Sequence, residues 1–343
     1  MGLPKRILGK SGIEVSVLGF GGAPLGDLYT RLDDHTAIAT VEAAHREGIT
    51  LFDTSPHYGN GLSEHRFGTA LRRVPRDSFV LSTKVGRVME GRASAPKAEL
   101  RTDVVSPGFA GGLPHQARFD YSYDGAMRAF EQSLLRLGLD RIDILLIHDC
   151  DVWTHGPDVD RRFGEAMDGA YKALARLREE GAVRAIGAGI NEAEMCVRFA
   201  EAGDFDVMMM AGRYSLLQQQ SLQTFLPVAQ KKGIGIMLAG VFNSGILATG
   251  AVPGARYDYR EAPPEIVDKV RRMEKVCAAH GVTIREAAMH FPLGHPAISA
   301  LVLGGVTPDE VRANVASFAV PIPAGLWSDL KTEGLLAPDV PTP

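Results

Sequence analysis

A closed α/β barrel of eight parallel strands, the (β/α)8 or TIM-barrel class, is the fold this 343-residue sequence predicts. Three observations lead there. Eight short apolar runs alternate with longer stretches of helical periodicity, many of those stretches end at a glycine before the next run, and no linker divides the series.

The first element is a hairpin: Lys5–Leu8 and Glu14–Leu18 are extended runs around the turn Gly9-Lys10-Ser11-Gly12. Barrel strands are then expected at Val15–Gly19, Ile49–Phe52, Phe79–Ser82, Ile142–Ile147, Val183–Ile186, Val207–Met210, Ile234–Leu238 and Leu301–Leu303. Runs apolar on both faces suit parallel strands covered by helices. Ala37, Val41 and Ala44 mark one helical face between them; Met127, Phe130, Leu134 and Leu137 mark another, and Tyr171, Leu174 and Leu177 a third. Gly48, Gly138, Gly181, Gly203, Gly233 and Gly281 stand where a left-handed residue would close a helix. Three long βα loops, Val88–Tyr123, Asp149–Gly164 and Ala239–Pro264, fall on the C-terminal face, where barrel enzymes carry their sites. One domain is expected over residues 1–336, with a frayed tail at 337–343.

Composition narrows the function. Hydrophobic residues make up 45% and charged residues 23%, ordinary for a globular chain, and the net charge of −4 argues against a nucleic-acid partner. No apolar run is long enough to span a membrane. Met1–Ile7 lacks a secretory apolar region, and Cys150, Cys196 and Cys277 are widely spaced without a CxxC, so a cytoplasmic protein with structural thiols is expected. Phosphate-loop and dinucleotide fingerprints fail: Gly19-Phe20-Gly21 and Gly187-Ala188-Gly189 lack the third glycine. His148-Asp149-Cys150-Asp151 looks metal-like, but neighbours on an extended chain point apart, and no metal is expected.

Four titratable residues stand at or just past strand ends: Asp53, Tyr58, Lys84 and His148. Taken singly, each has a bland role as turn residue, wall aromatic, surface charge or core histidine. Together at one mouth they make a proton-transfer set. An ammonium lowers a phenol's pKa, a carboxylate fixes the ammonium, and a neutral imidazole orients a substrate oxygen.

Asp53-x4-Tyr58-Gly59, Ser82-Thr83-Lys84 and Leu145-Leu146-Ile147-His148 resemble the Asp-Tyr-Lys-His tetrad of the aldo-keto reductases. So do Ser63-Glu64-x3-Gly68, Leu137-Gly138-Leu139-Asp140-x2-Asp143, Gly181-x-Val183-Arg184-x-Ile186-Gly187 and Gly304-Gly305-x8-Asn314, which extend the resemblance over nearly the whole chain. The resemblance implies hydride transfer between a nicotinamide cofactor, lying across the barrel mouth, and a small hydroxyl or carbonyl substrate. It carries Asn191 over as a contact to the nicotinamide amide and offers Phe242 as a stand-in for the ring-stacking aromatic. The family's serine and glutamine at this end are replaced by Ile190 and Ala211.

At the adenosine end, alignment on Asn314 puts Gly304 and Gly305 where Lys-Ser would grip a 2′-phosphate, and Glu310 in place of an arginine. A carboxylate repels that phosphate and suits a ribose hydroxyl, so NAD is favoured over NADP. The alternative reading is that Glu310 faces solvent in the first turn of a helix opened by Thr307-Pro308, where negative charge suits the helix dipole. Phe20–Gly26, Phe119–Asp124 and Gly212–Leu217 further resemble the branch of L-fucose (D-threo-aldose) 1-dehydrogenases and pyridoxal 4-dehydrogenases, implying oxidation of a hemiacetal hydroxyl to a lactone. Tyr29, His57 and Trp153 are candidate substrate contacts from their place on βα loops. The competing readings are an NADP-dependent carbonyl reductase and a cofactor-sensing subunit without turnover. The sequence leaves the oligomeric state open.

Overall fold

The computed structural model describes residues 2–91, 108–258 and 260–343. Eight strands form the barrel: β1 (Leu18–Gly21), β2 (Leu51–Asp53), β3 (Val80–Val85), β4 (Ile144–His148), β5 (Ala185–Ile190), β6 (Val207–Ala211), β7 (Gly235–Ala239) and β8 (Ile298–Gly304). Each pairs in parallel with the next, and β8 returns to β1, so no edge is left open.

Strand alternation sorts the side chains into two layers. Leu51, Val80, Ile144, Leu146, Val207, Met209 and Val302 share one buried cluster, the barrel interior. Their neighbours Phe52, Leu81, Leu145, Ile147, Met208 and Met210 belong to a second, between strands and helices. The N-terminal hairpin, Lys5–Ile7 paired with Glu14–Ser16, sends Leu8, Ile13 and Val15 into the inner cluster and plugs the N-terminal end. Near that end Asp143, 1% exposed, accepts Leu81 N–H at 2.8 Å and Arg76 Nη2 at 2.6 Å, tying β3 to the entry of β4.

Three helices begin at side-chain caps, the third at the Thr307-Pro308 start read from the sequence. Asp33 accepts Thr36 N–H, Ser122 accepts Gly125 N–H, and Thr307 accepts Glu310 N–H ahead of Pro308–Phe318. Five of the six named glycines have positive φ: Gly48, Gly138, Gly181, Gly233 and Gly281. Gly203 is the exception, extended at φ −141°. There a Cβ would stand 2.7 Å from the Phe205 ring, so packing and not backbone handedness excludes a side chain.

The long loops hold more order than their composition suggested. Within Val88–Tyr123, Arg87–Gly91 pairs antiparallel with His115–Phe119; residues 92–107 lie outside the described ones. Asp149–Gly164 contains the helices Val152–His155 and Val159–Glu165, the first capped by Asp151. Ala239–Pro264 contains the short helix Ile246–Thr249. Along the tail Val340 is buried, and the main chain of Thr342 lies against Gly294.

Candidate active site

The alternation that builds the barrel also aims its chemistry. Counting by twos from the inward residues Leu51, Val80 and Ile144 gives Asp53, Lys84 and His148, each on the inner face at the C-terminal end of its strand. Thr83, one residue earlier, points outward and bonds Glu64 at 2.8 Å.

Lys84 is 1% exposed and donates from Nζ to Asp53 Oδ2 at 2.7 Å and to the Thr54 carbonyl at 2.8 Å. Such burial is tolerable only because the charges are paired and hydrogen-bonded. The same Nζ lies 4.9 Å from the Tyr58 ring centre. Tyr58 comes from the loop after β2, where Gly59 (φ 63°) packs against Gly26; a Cβ on Gly59 would stand 2.5 Å from the Gly26 carbonyl oxygen. That close backbone approach fixes the tyrosine beside the His148 ring, edge to face at 5.9 Å between centroids.

His148 is enclosed by partners. Its Nδ1 faces Ser55 Oγ at 3.0 Å and Arg87 Nη1 at 3.2 Å, and its Nε2 lies 3.3 Å from Asp149 Oδ1. Arg87 also pairs with Asp149 Oδ2 at 2.9 Å and stacks on Phe119 at 4.4 Å. The expectation that His148 and Asp149 point apart fails because Asp149 turns the chain at φ 47°, which swings its carboxylate back beside the imidazole. Asp151 holds Asn191 instead, accepting its N–H and its Nδ2 at 3.0 Å each. Among the described residues no cluster of His, Cys, Asp and Glu could hold a metal. The three cysteines are buried and unpaired, and burial pushes each thiol upward.

The electrostatics overturn one expectation. Burial raises Asp53, countered by Lys84. Burial also drives the Tyr58 phenol well above its ordinary value; the carboxylates of Asp53 and Asp149 add to this, and Arg87 opposes it. The phenol is therefore not acidified in the free protein: burial dominates, and Lys84 is paired with Asp53. Burial, followed by Arg87, Lys84 and His57, depresses His148 well below its ordinary value, so the imidazole is neutral at neutral pH.

These groups line a cleft of about 550 Å³ that continues past Asn191 and Phe242 to Gly304, Gly305 and Glu310. Tyr29, His57 and Trp153 line it too, so the structure brings every named candidate but Asn314 to one surface. Asn314 lies behind it, bonded to Arg285 Nη2 at 2.5 Å. Glu310 satisfies both of its readings in part: it borders the cleft, and its Oε2 accepts Val306 N–H at 2.9 Å at the helix start. An elongated cleft with a proton-transfer set at one end and bare glycine backbone with a helix N-terminus at the other fits an extended dinucleotide.

Sequence reasoning passed over Arg87, Asp149 and Phe109. Phe109 packs edge to face on His57 at 5.3 Å and lines the same cleft. The available signal for Arg87 was a charged residue directly after the strand-end glycine Gly86, whose φ is 106°.

Comparison with known proteins agrees with the geometry. A family model described as "Aldo/keto reductase family" matches residues 17–332. A pyridoxal 4-dehydrogenase from Microbacterium luteolum is 41% identical, covering 97% of this chain and 98% of its own. A D-threo-aldose 1-dehydrogenase from a Pseudomonas species is 38% identical, covering 97% of each. Among solved structures, the holo form of an aldo-keto reductase from Bacillus halodurans superposes with a TM-score of 0.74 at 25% identity, covering 96% of both chains.

Proposed function

Because the chain belongs to the aldo/keto reductase family and is an oxidoreductase, we propose that it is an NAD-dependent dehydrogenase oxidising the C1 hemiacetal hydroxyl of a small sugar, of the L-fucose or D-threo-aldose type, to a lactone. The observation that carries this reading is the Tyr58 phenol standing beside His148 at the cleft mouth, with the Asp149 carboxylate adjacent. A bound oxidised nicotinamide supplies the hydride acceptor. His148, neutral, donates a hydrogen bond to the hydroxyl oxygen and orients it. Tyr58 in its phenolate form takes the hydroxyl proton, and in the reverse direction the phenol returns it. Lys84 and Asp53 hold the floor beneath the tyrosine. Asn191 and Phe242 would receive the nicotinamide end and Gly304, Gly305 and Glu310 the adenosine end, with Asn314 supporting them from behind the cleft. Tyr29, His57 and Trp153 border the space left for the sugar.

Support for NAD is the carboxylate of Glu310 where a phosphate-binding cation would be needed. Support for a hemiacetal is that both named relatives are dehydrogenases and that an acceptor group, Asp149, faces the cleft. The 41% relative favours a second substrate, pyridoxal. Purified protein incubated with NAD or NADP and a panel of L-fucose, L-galactose, other aldoses and pyridoxal tests the reading. Sugar-dependent formation of NADH is expected. Reduction of NAD by pyridoxal alone would transfer the assignment to the second substrate, and consumption of NADPH by simple aldehydes alone would overturn it.

A further inference from the structure

Arg87 is three residues past Lys84, and two hydrogen-bonding groups and one carboxylate meet around the ring it touches. A guanidinium donates and cannot accept at any accessible pH. With its Nη1 3.2 Å from Nδ1, it requires the lone pair of His148 on that nitrogen. Ser55 agrees: its Oγ accepts His57 N–H at 3.1 Å, which leaves its own O–H to donate to Nδ1 at 3.0 Å. Asp149 reports on the other nitrogen. A carboxylate only accepts, so Oδ1, within ion-pair distance of Nε2 at 3.3 Å, favours a proton there.

We infer that Arg87 is a positioning residue which, with Ser55 and Asp149, fixes His148 as the neutral tautomer bearing its proton on Nε2. This rests on the proposed role of His148 toward the substrate oxygen. The tautomer matters because only one ring nitrogen can face the cleft. A proton on Nδ1 would point at the guanidinium, and Nε2 would then present a lone pair to a hydroxyl oxygen and to Asp149. The arrangement is rigid. Arg87 is 3% exposed, clamped by Phe119 on its face at 4.4 Å and by Asp149 Oδ2 at 2.9 Å, and the clamp holds Asp149 in its left-handed conformation. The charged and titratable groups facing His148 are Arg87 and Lys84 from β3 and the turn after it, His57 and Tyr58 from the loop after β2, and Asp149 from its own strand end. The three cationic or ionisable nitrogen groups among them all disfavour an imidazolium.

Histidine-selective 15N NMR of the free wild-type protein, with His148→Gln for assignment, reads the tautomer directly and needs no substrate. A protonated Nε2 and an unprotonated Nδ1 are expected from about pH 6 to 9. Arg87→Met then removes the donor while filling part of its volume. Its ring should show mixed tautomers and titrate closer to the ordinary histidine range, and the acid limb of kcat/KM should move up by about one pH unit. Its kcat should fall roughly ten- to a hundredfold with the affinity for NAD unchanged. Arg87→Lys should restore the low acid limb through charge and only part of kcat, since a flexible ammonium lacks the planar face that Phe119 clamps. A wild-type ring protonated on Nδ1 overturns the inference even if no variant folds. So does an Arg87→Met protein whose tautomer and acid limb match the wild type. If the wild type turns over no sugar, the proposed substrate fails while the NMR result still decides the tautomer.

Discussion

Charge at position 310 should set the preference between the two nicotinamide dinucleotides, and the structure lets the effect be sized. Glu310 is exposed at the start of helix Pro308–Phe318 and borders the cleft. In a water-like environment a unit charge pair about 4 Å apart is worth about 1 kcal/mol. A phosphate monoester carries about −1.5 to −2 charges, so a 2′-phosphate at that distance is opposed by about 1.5–2 kcal/mol. Glu310→Gln removes the repulsion and keeps an oxygen for Val306 N–H, whose bond at 2.9 Å caps the helix. Glu310→Arg replaces repulsion by attraction, a swing of roughly 3 kcal/mol after screening at physiological salt. Gly305→Ser can be added, because a Cβ there meets nothing nearer than Val311 Cγ2 at 3.6 Å. Gly304 should be left alone: its Cβ would stand 2.7 Å from Pro24 Cγ in a ring that cannot swing away. The assay is kcat/KM for NADP divided by kcat/KM for NAD, at low and high salt. The ratio should rise about tenfold in the Gln variant and about a hundredfold in the Arg variant, with the gain shrinking as salt is added. A wild type that prefers NADP, or an Arg variant whose ratio stays put, would refute the reasoning and leave Glu310 with the helix cap alone.

Tyr58→Phe should lower turnover by at least about a hundredfold while cofactor binding, followed by fluorescence, is kept; near wild-type turnover would remove the tyrosine from proton transfer. Because the phenol is held above its ordinary value, the phenolate fraction grows with pH, so kcat/KM for the sugar in the oxidation should climb through the alkaline range; a plateau at neutral pH would contradict this. Asp53→Asn deletes a carboxylate that raises the phenol and leaves the Lys84 charge unopposed. Its alkaline limb should therefore move down by about one pH unit, and a shift upward would count against the coupling. Asp143→Ala should cost about 2–4 kcal/mol in denaturant unfolding, since it strands the buried Leu81 N–H and takes from Arg76 its buried carboxylate partner; a loss under about 1 kcal/mol would show that water or a neighbour replaces the carboxylate.

Much of this site was legible because it obeys the same period as the fold. Asp53, Lys84 and His148 end strands whose inner residues are fixed by alternation, so finding the strands finds the direction of the side chains. Arg87 and Asp149 were hidden for the converse reason. Each follows a residue of positive φ or has one itself, Gly86 at 106° and Asp149 at 47°, and at such a point strand parity stops forecasting direction. The hairpin Arg87–Gly91 with His115–Phe119 escaped notice because its two halves are separated by more than twenty residues, beyond the reach of turn signals. The Tyr58 phenol was misjudged on energy and not on place: its neighbour Lys84 lies beside it as expected, but burial of the phenol outweighs the cations around it, and Lys84 is paired with Asp53.

The hairpin that seals the lower end of the barrel has a kinetic consequence. With Leu8, Ile13 and Val15 packed into the interior, the described residues leave a dinucleotide and a sugar the upper mouth to enter by. Whichever ligand lies deeper must arrive first and depart last. If the dinucleotide stretches under the sugar to reach Tyr58, turnover becomes compulsorily ordered, with reduced cofactor competing against oxidised cofactor and the lactone against neither. Escape of the deeper ligand, and not the chemistry at the tyrosine, would then set the pace whenever sugar is abundant.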